Sequence, residues 1–197
     1  PFFFVLFQVL ILLITVYAVG IEIKFRTADE WLFVAKGNMV TAVLGKLLPY
    51  TIIFILIGWL ANYVMFGILH IPFQGSWLLM NMLTALFVVA TQALGLFLFS
   101  LFPAISLIIS IVSMVGSLGA TLSGVTFPVT NMYPLVRDAS YLFPVRHFTE
   151  MMQNMLYGGS GFIYLWPSVV ILCIFPLLAF VLLPHLKRAI ESHKYEK

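Results

Sequence analysis

The stretch FFFVLFQVLILLITVYAVGI, residues 2–21, decides the fold. It contains no Lys, Arg, Asp or Glu, and only Gln8 and Thr15 interrupt its apolar run. At 1.5 Å per residue, a helix of this length reaches about 30 Å, the hydrocarbon thickness of a bilayer. Four further stretches read alike, at about 47–69, 77–101, 105–124 and 162–184, again without a formal charge. One charge at the centre of such a span would cost roughly 2.5–3.5 kcal/mol on insertion. The runs are continuously apolar rather than alternating, which disfavours the strands of a closed barrel. The expected fold class is all-α, a polytopic transmembrane helical bundle of five spans forming a single domain over 1–197.

Composition agrees. The 197 residues are 62% hydrophobic and 9% charged, with a mean hydropathy of +1.10, whereas soluble domains carry about 25% charged residues. The net charge of +3 comes from two basic clusters rather than one basic face, so nucleic acid is not an expected partner. Cys173 is the only cysteine. That excludes an intrachain disulfide and a cysteine metal cluster, and its place in an apolar run suggests passive packing.

The ten basic residues orient the spans. Lys24, Arg26, Lys36 and Lys46 follow the first run, and Lys187, Arg188, Lys194 and Lys197 follow the last. Only Arg137 and Arg146 fall elsewhere. Basic residues gather on the cytoplasmic side of membrane spans. Pro1 is therefore expected outside and Lys197 in the cytoplasm, with the lipid bilayer as the surrounding partner. A chain that starts outside calls for an earlier span, so the sequence reads as the C-terminal part of a longer protein.

Segment 22–46 carries more than a linker. Thr27-Ala28-Asp29-Glu30 fits a capping box, in which Thr27 accepts from the Glu30 amide. Asp29 and Glu30 favour the first turn and Lys36 the last, with Gly37 suited to the C′ position. These signals predict a short amphipathic cytoplasmic helix over about 28–36 with Trp31, Leu32 and Ala35 near one face. It can lie on lipid head groups with Trp31 as anchor, or seat a soluble partner. Gly45-Lys46 is not a phosphate loop: Gly37 lies eight residues back and Leu47 stands where Ser or Thr is needed.

The fourth span bears small residues at alternating spacings of four and three: Ser106, Ser110, Ser113, Ser117, Ala120 and Gly124. Gly116 and Gly119 add to it. Small residues let membrane helices approach closely, so the stripe reads as a helix-packing seam within the bundle, as a seam between subunits or as the wall of a transport path. Segment 125–161 is moderately apolar and punctuated by Pro128, Pro134 and Pro144. It is expected to fold back as a re-entrant helical lid or cap on the external side, with helical spacing from Val145 to Tyr157 and a stop at Gly158-Gly159. Arg137 with Asp138 and Arg146 with Glu150 make it locally neutral. His147 and Glu150 lack companions at metal-ligand spacing, so no catalytic, cofactor or metal site is expected. Asn81, Thr84, Thr91 and Gln92 on the third span, with Gln8 and Asn62, suit interhelical hydrogen bonds or a hydrated path.

A span, a charged Thr-containing cytoplasmic turn, then Gly45-Lys46-Leu47-Leu48-Pro49-Tyr50 leading into the next span resembles the membrane (permease) subunit of ABC type-2 transporters of the bacterial exporter kind. Leu122-Ser123-Gly124-Val125-Thr126-Phe127-Pro128, Met132-Tyr133-Pro134 and Phe143-Pro144-Val145-Arg146-His147-Phe148 resemble the same family's external region. The likeness covers residues 1–197 as the last five of six spans. Here Arg26 precedes Thr27 where the family pattern has Gly, and Tyr133 separates Met132 from Pro134.

The resemblance implies a permease in the cytoplasmic (inner) membrane, paired with a second permease subunit as homo- or heterodimer and driven by a separate cytoplasmic ABC ATPase. Thr27, Asp29, Glu30, Trp31 and Lys36 would then belong to the coupling helix that docks the ATPase, and Phe127, Pro128, Pro134 and Pro144 to the external gate. Cargo of that family is amphipathic or hydrophobic, of drug, lipid or polysaccharide type, and the chain itself would catalyse nothing. The alternatives are a non-transporting membrane scaffold and an intramembrane lipid enzyme using His147 and Glu150.

Overall fold

The computed structural model describes residues 1–25, 27–158 and 164–191. Arg26, Gly159, His193, Lys194 and Lys197 lie outside the described residues. The chain folds as α1 (Phe2–Lys24), α2 (Ala28–Val34), α3 (Met39–Asn62), α4 (Trp77–Leu101), α5 (Ile105–Leu122), α6 (Pro134–Ser140), α7 (Pro144–Gln153) and α8 (Trp166–Glu191). Wider π-turns extend α3 through Tyr63–Ile68 and α7 through Asn154–Gly158. Among the described residues there is no strand, and five helices are long and apolar enough to cross a membrane.

The spans match the apolar runs except where local chemistry sets a boundary. Helix α3 begins at Met39, well ahead of the run at 47, because Asn38 caps it: its Oδ1 accepts from the Val40 N–H at 3.0 Å. Helix α8 continues past 184 to Glu191, since polar residues are good helix formers once outside the hydrocarbon. Pro49 in α3 and Pro176 and Pro184 in α8 sit inside helices. Each removes one backbone bond, where a helix bends, and membrane helices tolerate this because neighbours cover the freed groups.

Helices α1 and α4 form the centre. Helix α5 packs along α1, α8 along α4, and α3 spans both. Aromatic rings of Phe4, Phe7, Phe54, Phe87 and Phe148 join α1, α3, α4 and α7. The centroids of Phe4 and Phe87 each stand 4.6 Å from that of Phe148. In lipid such contacts act through dispersion, because the alternative surroundings are equally apolar. Close approach of α1 and α5 depends on glycine. A Cβ at Gly116 would stand 2.8 Å from Val9, and one at Gly119 only 2.6 Å from Gln8 Nε2.

The polar residues inside the bundle tie α3 to α4. Asn62 Nδ2 donates to Asn81 Oδ1 at 3.1 Å and to Thr84 Oγ1 at 2.9 Å, and Thr51 Oγ1 donates to Gln92 Oε1 at 2.7 Å. This bears out interhelical hydrogen bonding. Thr91 is buried without a side-chain partner. Cys173 is exposed on the outer face of α8.

Candidate functional site

The basic clusters converge on one end of the bundle. Glu22, in the last turn of α1, forms an ion pair with Lys46 in the second turn of α3, and Thr27 Oγ1 donates to the Glu22 carboxylate. Lys187 Nζ on α8 donates to the Gly37 carbonyl at 2.7 Å. Three spans and the α2 loop are thus tied together there.

Helix α2 is clamped across this end. Ala28 and Leu32 are buried on the bundle, Trp31 Nε1 donates to the Ala42 carbonyl at 3.2 Å, and Lys46 lies 5.7 Å from the Trp31 ring centroid. Trp31 therefore fastens α2 to α3 and is not an outward anchor. The expected capping box does not form, because Thr27 makes no side-chain cap bond and its hydroxyl is taken by Glu22. Thr27 sits at φ −94°, ψ 4°, outside the extended backbone that aims an N-cap oxygen at the first-turn amides.

Helix α2 also ends earlier than 36. Lys36 N–H donates to the Phe33 carbonyl at 2.9 Å and Gly37 N–H to the Leu32 carbonyl at 2.8 Å, the paired bonds of a Schellman motif. Lys36 thus occupies C′ with φ 53° and Gly37, with φ 73°, lies one position later than expected. A side chain at positive φ costs about 1–2 kcal/mol. Lys36→Gly is accordingly expected to stabilise the α2 turn by about 1 kcal/mol, read as stronger amide-exchange protection over 28–36.

The outward face of α2 presents Asp29 and Glu30 beside Phe33 and Val34, which are 85% and 82% exposed. Sequence reasoning missed Phe33 and Val34. The available signal was their place opposite Ala28 and Leu32 on a helix whose other face is buried. Of the expected docking residues, Asp29, Glu30 and Lys36 are exposed on this end, whereas Thr27 and Trp31 are turned toward the bundle.

At the opposite end, α7 is inserted among α1, α4, α5 and α8. Its first turn has no local side-chain cap, and the Val145 N–H is instead met by Gln8 Oε1 at 2.8 Å. Arg146 pairs with Glu150 at 3.3 Å, and Ser168 Oγ on α8 donates to Glu150 at 3.4 Å. His147 Nε2 bonds the Tyr141 carbonyl at 3.0 Å. Burial holds its imidazole below the usual value, against the Tyr141 carbonyl and Glu150, which favour the charged form. Among the described residues no group of three or more His, Cys, Asp or Glu side chains assembles.

The four expected gate residues do not share one site. Pro144 is buried at the first turn of α7, while Phe127, Pro128 and Pro134 are exposed on the surface leading into α6. Helix α6 leaves Leu135 and Val136 exposed, and Arg137 Nε lies 3.9 Å from Asp138. The small residues of α5 separate into two faces. Gly116 and Gly119 are buried against α1, whereas Ser106, Ser110, Ser113 and Ser117 are exposed, with Ala120 and Gly124 half-buried between. Ser113 and Ser117 hydroxyls bond carbonyls of their own helix at 2.8 and 2.9 Å.

A five-span helical bundle with a short helix clamped across its basic end defines a polytopic helical membrane protein. The chain belongs to the ABC-2 family of transporter proteins, which it matches over residues 1–183, and is a permease subunit of that class. It is 31% identical over 109 residues to the inner membrane transport permease YhhJ of Escherichia coli (strain K12), covering 54% of this chain and 28% of that protein. It is 26% identical over 139 residues to the probable multidrug ABC transporter permease YbhS of the same organism, covering 68% of this chain and 36% of that protein. The chain thus spans about a third of the length of these relatives. No solved structure matches.

Proposed function

We propose that the chain is the permease subunit of an ATP-driven exporter in the cytoplasmic (inner) membrane, moving amphipathic or hydrophobic cargo of drug, lipid or polysaccharide type. ATP hydrolysis belongs to a separate cytoplasmic ABC ATPase that docks on α2. The observation that carries this reading is the outward face of α2: two carboxylates beside two exposed apolar side chains, on a helix held rigidly by Trp31, Leu32 and the Glu22–Lys46 pair. Rigid mounting lets movement of a docked partner reach α1, α3 and α8 without dissipating in a loop. That end carries the basic clusters, so it faces the cytoplasm under the positive-inside rule. The lid, with Phe127, Pro128, Pro134 and Pro144, is then external. Buried polar atoms of Gln8, Arg146, His147 and Thr149 without protein partners leave it acceptors and donors that a passing polar group or water can satisfy.

The exposed serine face of α5, from Ser106 to Ser117, is the seam for the second permease subunit, since its buried counterpart already serves α1. In a background lacking Cys173, Ser113→Cys is expected to give an oxidant-dependent covalent dimer on denaturing gels, and Leu178→Cys on α8 is not. A monomer from Ser113→Cys with dimer from Leu178→Cys would move the seam. The docking reading is tested by co-expression with a candidate ABC ATPase from the same source. Glu30→Arg is expected to abolish copurification of that ATPase while leaving the permease folded, and undiminished capture would refute docking at α2.

A further inference from the structure

Two cavities meet along α3 and α8 at the basic end of the bundle. The deeper, of about 430 Å³, lies between α3 and α8 over α4 and is lined by apolar side chains such as Val43, Leu47, Leu96 and Ala179. Its only polar lining residues, Thr51 and Gln92, bond each other at the far end. The second, of about 370 Å³, is a notch bounded by Lys36, Gly37, Asn38, Pro184 and Lys187. Both cavities share Val40, Phe180 and Leu183, so the groove runs continuously from a doubly basic mouth into an apolar interior.

We propose that this groove binds one anionic glycerophospholipid, with its phosphate between Lys36 and Lys187 and one acyl chain along Val43, Leu47 and Ala179. A lipid-facing void of this size forfeits dispersion contacts on every lining atom unless a chain fills it. Acyl chains are the molecules a bilayer supplies at that depth. The basic mouth selects among lipids, because each lysine near an anionic head group adds electrostatic attraction that a zwitterionic head group does not return. Lys36 reaches the mouth because the Schellman turn holds it at positive φ, and Lys187 is anchored there by the Gly37 carbonyl. The bound lipid would brace α8 against the α2–α3 turn.

The test uses the full-length permease purified in detergent without its ATPase, with retained lipid counted by native mass spectrometry. Dioleoyl phosphatidylglycerol is expected to be retained about 5- to 30-fold better than dioleoyl phosphatidylcholine, the range two lysines supply. Lys36→Gln with Lys187→Gln should bring the ratio to about 1, and Ala179→Trp, which fills the groove, should lower retention of both lipids. Equal retention of the two lipids by the unaltered protein, or an undiminished preference in the double variant, overturns the proposal. Should the variants fold poorly, the unaltered protein still decides: phosphatidylglycerol must raise its thermal midpoint more than phosphatidylcholine does. Failure here leaves ATPase capture unaffected, so the two readings fail separately.

Discussion

Gln8→Leu is expected to destabilise the folded permease by about 2–4 kcal/mol, although leucine suits a membrane span better than glutamine. The Val145 N–H is in the first turn of α7, where helices have no internal acceptors, and its partner lies 137 positions away on α1. Leucine would leave that donor buried with neither water nor protein to satisfy it. The loss should appear as a fall of roughly 5–15 °C in the apparent thermal midpoint in detergent, with early protease cleavage within 141–158. Thr15→Val is the matched control, since the Thr15 hydroxyl is buried with no partner, and should change the midpoint by no more than a degree or two. Equal effects from both would show that polarity within α1, and not the tie to α7, sets stability. Gly119→Leu should reproduce the Gln8 result from the other side, because a Cβ there displaces the Gln8 amide and meets Phe143 at 3.3 Å.

Phe33→Glu is expected to abolish ATP-dependent transport and reduce ATPase capture more than tenfold, while the permease melts unchanged. Phe33 is 85% exposed, so the bundle loses nothing when it is replaced; a buried apolar contact with a partner loses both its area and its dehydration. Trp31→Ala should have the opposite profile. Removing the bolt to the Ala42 carbonyl frees α2 and lowers exchange protection over 28–36 before it weakens capture. If Phe33→Glu transports normally with its ATPase bound, the docking surface lies elsewhere.

Five spans, their near ends and their grouping of charges were legible in the sequence because insertion energetics act on composition, independent of partners. The short helix after the first span was legible from its charges, yet its caps were not. Thr27 reads as a capping residue, but its backbone is not extended and its hydroxyl donates to Glu22, five positions back at the end of α1. Gly37 looked like C′, but the turn closes one residue earlier on Lys36. The docking residues were half legible: Asp29 and Glu30 declare themselves by charge, whereas Phe33 and Val34 resemble any buried pair until the opposite face of α2 is seen to be occupied.

The sequence by itself determined a helical membrane protein with one basic end, since hydrophobic length and charge placement are local properties of the chain. Tertiary structure alone decided which face of α5 is free, that Gln8 caps a helix at the other end of the chain, and that α3 and α8 leave a groove between two lysines. Each of these depends on which helices become neighbours. Periodicity names a helix face, but in a bilayer, where buried and lipid-exposed surfaces are equally apolar, it does not say what that face will meet.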